Sequence, residues 1–254
     1  MGVKSAERVL RIFELLADHP GGMSNKEISE SLGYAPSSTI NILKTLSDEG
    51  YLNTNEHKKY TLGGKLIQLG SIASSHLNMG ELAAPILRGL MEELKETCFM
   101  GILSHNEVVY IAKANSNQTV STNASIGSKK PLYCTGLGKV FLSFMPEEES
   151  DILIKKTKFY RYARNTVRNA DELREQLLRF RQLGYATDDE EIEDGLWCLA
   201  VPIFDEQGDV IAAISTSGPI TRMQQKTDLI KRKMLEASEF LSNKLGYYKG
   251  GRTE

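Results

Sequence analysis

Two groups of side chains in this chain have types and spacings suited to chemistry. The first is the run Tyr133-Cys134-Thr135-Gly136-Leu137-Gly138-Lys139, which passes from strand-like residues through glycine into a helix start. It invites a phosphate-loop reading, and the spacing refuses it: the position five residues before Gly138 is Tyr133, where that loop needs a glycine. What survives is a helix N-terminus at Gly136 and Leu137, whose free amides can hold a carboxylate or phosphate. The same two glycines equally suit plain close packing. The second group lies on Trp197 to Pro202 and Ile211 to Gly218, two apolar runs that read as neighbouring strands. Alternation sends Ser215 and Ser217 to one face, and Cys198 opposite them would complete a small polar floor. Asp188, Asp189, Glu190 and Glu191 stand just upstream, and a run of carboxylates ordinarily reads as a solvated loop.

Covalent chemistry fits these residues poorly. A serine or cysteine nucleophile wants a histidine base, and the second domain offers only His105, in a turn. No Gly-x-Ser-x-Gly elbow frames Ser215 or Ser217, and no spacing of His, Cys or carboxylate residues marks a metal site. A small hydrolase or metal-dependent enzyme working in a Cys198/Ser215 pocket is therefore only the alternative. A pocket that binds and does not react is the reading preferred, with no cofactor and no metal.

A third set of polar groups sits near the N-terminus, on Gly21 to Gly50. Ser24 with Glu27 three residues on makes a capping box, and Gly33 stands where a left-handed helix stop is wanted. Pro36 then opens a second helix. Its Ile40, Leu43 and Leu46 are expected to face inward, which leaves Ser37, Ser38, Asn41, Lys44 and Thr45 outward. Those are groups that reach base edges and phosphates. A helical hairpin with a merely solvated face would look similar over these thirty or so residues. The next dozen residues favour the DNA-reading face: Tyr51-Leu52 and Tyr60-Thr61-Leu62 read as a hairpin whose tip, Glu56-His57-Lys58-Lys59, projects Lys58 and Lys59. Helix, helix and hairpin in this order make a winged helix-turn-helix. Ser24 and Asn25, at the start of its first helix, are counted with these groups as contacts to DNA.

Further elements must position these groups. A helix over Ser5 to Asp18 precedes the winged unit, which closes at Gly63-Gly64. Lys65 to Leu77 reads as a linker helix with Leu66, Leu69, Ile72, Ala73 and His76 near one stripe, and a second copy of the chain is an economical partner for it. From Met79 on, a helix over Glu81 to Thr97 leads into strands at Cys98 to Leu103 and Val108 to Ala114, with a weaker strand at Thr119 to Ile126. Helices come next from Leu137, from Glu147 and from Asn169, which caps its own with Glu172. After Gly184 come the last strands and a terminal helix from about Thr221 to Leu245, with Tyr247 to Glu254 fraying. The fold class is α+β, helices around an antiparallel sheet. The domains are residues 1–64, a linker over 65–78, and 79–254.

Composition sets limits. Of 254 residues, 41% are hydrophobic and 25% charged, so sizeable cores are available. A net charge of −2 excludes a chain that coats nucleic acid along its whole length and makes any DNA contact local. Three scattered cysteines without a CxxC pair argue against a disulfide framework or zinc ribbon and for a reducing cytoplasm. No run is long enough to span a membrane, and the N-terminus has no signal-peptide core.

Over nearly its whole length the chain resembles the IclR family of bacterial transcriptional regulators. The resemblance rests on Ser5 to Leu10, Pro20 to Ser24, the second helix to Gly50-Tyr51, Tyr60 to Gly63, Pro131 to Lys139, Gly184 to Ala186, Asp188 to Glu191, Cys198 to Asp205 and Ile214 to Pro219. It implies a winged helix-turn-helix, a linker helix and a GAF-like effector domain, acting as a homodimer or dimer of dimers, often as a repressor, on a palindromic operator. It also implies effector contacts at Gly136, Leu137, Asp188, Cys198, Ser215 and Ser217. That set suits a small carboxylic acid bearing a hydroxyl or keto group, with no lysine or arginine obviously committed to the site. Asp188 would accept from a hydroxyl and repel a second carboxylate. One departure stands out: Asn41 occupies the place of an arginine common in the family's recognition helix, so operator sequence does not transfer.

Overall fold

The structure, a computed structural model, describes residues 3–76, 79–122 and 124–247. The chain divides into two units, Met1–Asn78 and Met79–Glu254, and each is built around its own core.

In the first unit, α1 (Lys4–Ala17) turns Ile12 and Leu16 inward. A two-residue strand β1 (Met23–Ser24) leads into α2 (Asn25–Leu32). The capping box forms as the sequence spells it: Glu27 N donates to Ser24 Oγ at 3.3 Å, and Ser24 N donates to Glu27 Oε2 at 2.7 Å. Gly33 ends α2 at φ 66°, a left-handed value that glycine adopts without penalty. Helix α3 (Pro36–Asp48) starts on Pro36 after an extended Ala35. Strands β2 (Leu52–Thr54) and β3 (Lys59–Leu62) form the hairpin, and β1 pairs with β3, giving the order β1-β3-β2. The expected inward stripe of α3 needs one correction. Thr39, Leu43 and Leu46 are buried, while Ile40 is 38% exposed. Thr39 takes the inward place because its hydroxyl donates to Ala35 O at 3.1 Å, which satisfies it inside the core. Helix α4 (Gly64–His76) comes next, with Leu69 and Ile72 exposed; the side chains of Ala73 and His76, and residue Leu77, lie outside the described residues.

In the second unit, α5 (Met79–Leu94) precedes β4 (Thr97–Ser104) and β5 (Glu107–Ala114). The helix stops three residues before the expected Thr97 because Lys95 turns left-handed, at φ 57°, and Thr97 already belongs to the strand. The expected strand over Thr119 to Ile126 is not formed among the described residues. Its place is taken by a short edge strand further on, β6 (Lys129–Pro131), because the backbone of the earlier segment is used elsewhere: Val120 O accepts from Arg222 at 2.9 Å. Helices α6 (Gly136–Phe144), α7 (Glu147–Lys156) and α8 (Ala170–Leu183) come next, the last capped by Asn169 and stopped at Gly184. Strands β7 (Ala186–Asp189), β8 (Leu196–Phe204) and β9 (Val210–Pro219) complete the sheet before α9 (Ile220–Gln224) and α10 (Thr227–Lys244). The expected fraying beyond Tyr247 falls on residues outside those described. The six strands run β6-β5-β4-β9-β8-β7, antiparallel throughout. One face packs Cys98, Met100, Leu199, Val201, Ala212 and Ile214 against α5 and α10. The other packs Phe99, Ala200 and Ala213 against α6 and α8. Among the described residues no helix is long and apolar enough to cross a membrane.

Candidate functional site

The sheet register brings the expected floor together. Cys198 lies opposite Ser217, and Ala200 opposite Ser215, across β8 and β9. Asp188 on β7 lies opposite Cys198, and Phe99 on β4 opposite Ser215. Helix α6 is pressed onto these strands by its glycines. A Cβ at Gly138 would stand 2.3 Å from Leu132 O, and one at Gly136 would stand 2.9 Å from Cys198 Sγ. Thr135 caps the helix, accepting from Gly138 N at 3.2 Å and donating to Pro131 O at 2.7 Å. The amides of Gly136 and Leu137 reach no backbone carbonyl among the described residues. Between helix start and strands lies a cavity of about 220 Å³, lined by Gly136, Leu137, Asp188, Cys198, Ser215 and Ser217.

Several lining residues were not found from the sequence. Phe99 and Tyr110 stack with ring centroids 4.8 Å apart, and the Tyr110 hydroxyl makes no hydrogen bond among the described residues. Thr122 closes one side, its hydroxyl 2.9 Å from that of Ser217. Lys130 on β6 also lines the cavity and has no ion-pair partner among the described residues, whereas its neighbour Lys129 sits 3.9 Å from Glu107. The expectation that no lysine stands at the site is therefore corrected. The strand order that carries β6 to the cavity rim is not written in the spacing of the chain.

The acidic run is solvated only at Asp189. Asp188, Glu190 and Glu191 are 2%, 4% and 4% exposed, and each has a specific partner. Asp188 Oδ1 accepts from Glu191 N at 2.9 Å and from Ile192 N at 3.4 Å. Glu190 accepts from Gly195 N at 2.7 Å and from the Arg164 guanidinium, which hold its carboxyl below the usual range. Glu191 pairs with Lys139, a lysine with no solvent exposure that also donates to Thr187 O at 3.3 Å. Burial pushes the Asp188 carboxyl up to about 7, against the pull of Lys139. Burial raises the Cys198 thiol too, reinforced by the charge of Asp188, and takes Cys134 to about 12. Both thiols are protonated at neutral pH and are not nucleophiles. His105, in the β4–β5 turn, is not among the lining residues.

In the first unit, Ser37, Asn41 and Lys44 are exposed on α3, and their side chains make no hydrogen bond among the described residues. Ser38 Oγ donates to Ala35 O at 2.9 Å, and Thr45 Oγ1 to Asn41 O at 3.0 Å, so these hydroxyls keep only acceptor capacity. Ser24 is spent in the capping box. Asn25 Nδ2 donates to Pro36 O at 3.3 Å, tying α2 to the start of α3. In the hairpin, Asn55 Oδ1 accepts from His57 N and Lys59 N, both at 3.0 Å, and Lys58 takes φ 56° at the tip. Lys59 is the first residue of β3 and half-buried, one step back from the tip where it was expected.

A helix-turn-helix with a small sheet in one unit, and in the other a cavity lined by helix-start amides and short hydroxyls, define a DNA-binding regulator that carries its own ligand-sized pocket. Comparison with known proteins gives the lineage. Residues 5–56 match the IclR helix-turn-helix domain, and residues 72–243 match the C-terminal domain of the bacterial transcriptional regulator IclR. The chain belongs to the IclR family of transcriptional regulators and is not an enzyme. It is 34% identical to the transcriptional repressor IclR of Escherichia coli, over 87% of this chain and 82% of that one. It is 31% identical to the crystal structure of IclR from Thermotoga maritima, with a TM-score of 0.72 over 96% and 99% of the two chains. An IclR homologue from Microbacterium hydrocarbonoxydans, solved in complex with 4-hydroxybenzoate, shares the fold at a TM-score of 0.82 and 24% identity, over 94% of this chain and 97% of its own.

Proposed function

We propose that this regulator is a repressor that binds a palindromic operator as a homodimer or dimer of dimers, and that a small carboxylic acid in the cavity modulates that binding. The observation that carries the ligand class is the cavity floor. The Gly136 and Leu137 amides offer donors and partial positive charge, and Ser215, Ser217 and Cys198 offer short donors beside them. Asp188 accepts from a hydroxyl, or donates when it holds its proton. The carboxylate ligand of the Microbacterium homologue is of the same class. Ser37, Asn41 and Lys44 on α3 and Lys58 at the hairpin tip supply contacts to DNA, with Ser38, Thr45, Ser24, Asn25 and Lys59 at the margins of that surface. The exposed Leu69 and Ile72 of α4, continued by Leu66 and Ala73, join two copies. Residues 1–64, 65–78 and 79–254 act as reader, linker and sensor, in the cytoplasm where the DNA is.

The test is a thermal-shift screen of the full chain against small carboxylic acids, then operator binding with each hit. Ser217→Ala should weaken the true effector roughly tenfold to a hundredfold, the worth of a hydrogen bond to a charged group. The proposal fails if no carboxylate stabilises the chain, or if Ser217→Ala and Cys198→Leu bind the hit as tightly as the parent.

A further inference from the structure

Ile40 is not one of the buried core residues of the unit that holds it. It is 38% exposed and does not join the first core, although its neighbour Ile42 packs against that core. It is the exposed large hydrophobic of α3, and α3 gains nothing from it as a helix, since β-branched residues lose side-chain freedom there. A lone exposed aliphatic is common on protein surfaces. This one lies three residues after Ser37, four before Lys44 and next to Asn41, so it shares a side of the helix with the exposed polar groups. It also stands in the first half of the second helix of a helix-turn-helix, the part that meets base edges in the major groove.

The major groove presents one apolar feature, the C5-methyl group of thymine. An isoleucine among polar readers is matched to it, and the Asn41 amide beside it is matched to the N6/N7 edge of adenine. We propose that Ile40 is a base-reading residue, packing against a thymine methyl in each half-site and selecting an A·T pair there. The proposal rests on the chain being a DNA-binding regulator.

The experiment selects duplexes from a random pool with the full-length protein, in parallel with Ile40→Ser and Ile40→Val, whose melting temperatures should match the parent because Ile40 lies outside the core. The parent should enrich a site with a fixed thymine in each half. Replacing that thymine by deoxyuridine, which removes only the methyl, should weaken binding about fourfold per half-site, the equivalent of ~0.8 kcal/mol for one buried methyl-sized group. Ile40→Ser should lose both the preference and the sensitivity to deoxyuridine, and Ile40→Val should keep them. The proposal is overturned if deoxyuridine is neutral at every thymine of the selected site, or if Ile40→Ser enriches the same sequence with the same sensitivity. Failure of the parent to enrich any site removes the DNA-binding reading itself, and the two failures are told apart by that arm.

Discussion

Replacing Asp188 by asparagine should stabilise the protein, and only where the pH is high enough. The carboxyl is 2% exposed, and burial raises it from the ordinary aspartate value of 3.8 to about 7. The folded state therefore binds its proton more tightly than the unfolded chain does. Below about pH 3.8 both states are protonated and the buried group costs nothing. As pH rises toward 7 the unfolded chain ionises first, and stability is lost progressively; above 7 the full penalty remains. At about 1.4 kcal/mol per pH unit, that penalty amounts to about 4 kcal/mol at pH 8 and about 1 kcal/mol at pH 4.5. Asparagine keeps an Oδ1 acceptor for the amides of Glu191 and Ile192 and carries no charge. Asp188→Asn should thus raise the melting temperature by roughly 10 °C at pH 8 and by only a few degrees at pH 4.5. Thermal or urea unfolding of both proteins at the two pH values measures it. An equal effect at both pH values, or a loss of stability at pH 8, would show that Lys139 keeps Asp188 ionised and refute the reasoning.

Three other substitutions probe the buried pair and the linker. Lys139→Met leaves Glu191 buried without its cation and should cost about 3–5 kcal/mol, whereas Lys139→Met with Glu191→Leu should recover most of it, as unfolding of the three proteins will show. Leu69→Glu on α4, 44% exposed, should leave the melting temperature of the second unit unchanged while shifting the chain toward monomer in light scattering; a dimer that survives it places the contact elsewhere.

Local signals were the readable part of this chain. The capping box at Ser24, the helix stop at Gly33 and the Pro36 start all form where their residues stand, because each depends on neighbours within four positions. The shared face of Ser215 and Ser217 was legible too, since alternation along one strand fixes it, whereas the register that sets Cys198 opposite Ser217 comes from the structure. What escaped depended on partners distant in sequence. Lys139 meets Glu191 across 52 residues, and Ser217 meets Thr122 across 95, so neither the burial of the acidic run nor the wall of the cavity has a local signature. Ile40 misled for a different reason: a spacing of three is compatible with the inward stripe, and so is the Thr39 alternative, whose hydroxyl hides its polarity by bonding back to the helix.

The central sheet of the second unit divides the chain's freedom to change. Phe99, Ser215, Ser217 and Cys198 look into the cavity, while Cys98, Met100, Ile214, Thr216 and Leu199, one step along the same strands, belong to the opposite side against α5 and α10. Alternate positions therefore answer to different demands. A lineage can rewrite the cavity-facing set, residue by residue, to recognise a new metabolite without disturbing the foundation that the other set provides. A single inserted or deleted residue within the regularly paired stretch of β8 and β9, Leu196 to Ile203 against Ala212 to Pro219, would exchange the two sets beyond it. Descendants of one scaffold can in this way diverge in what they sense while remaining superimposable in how they are built.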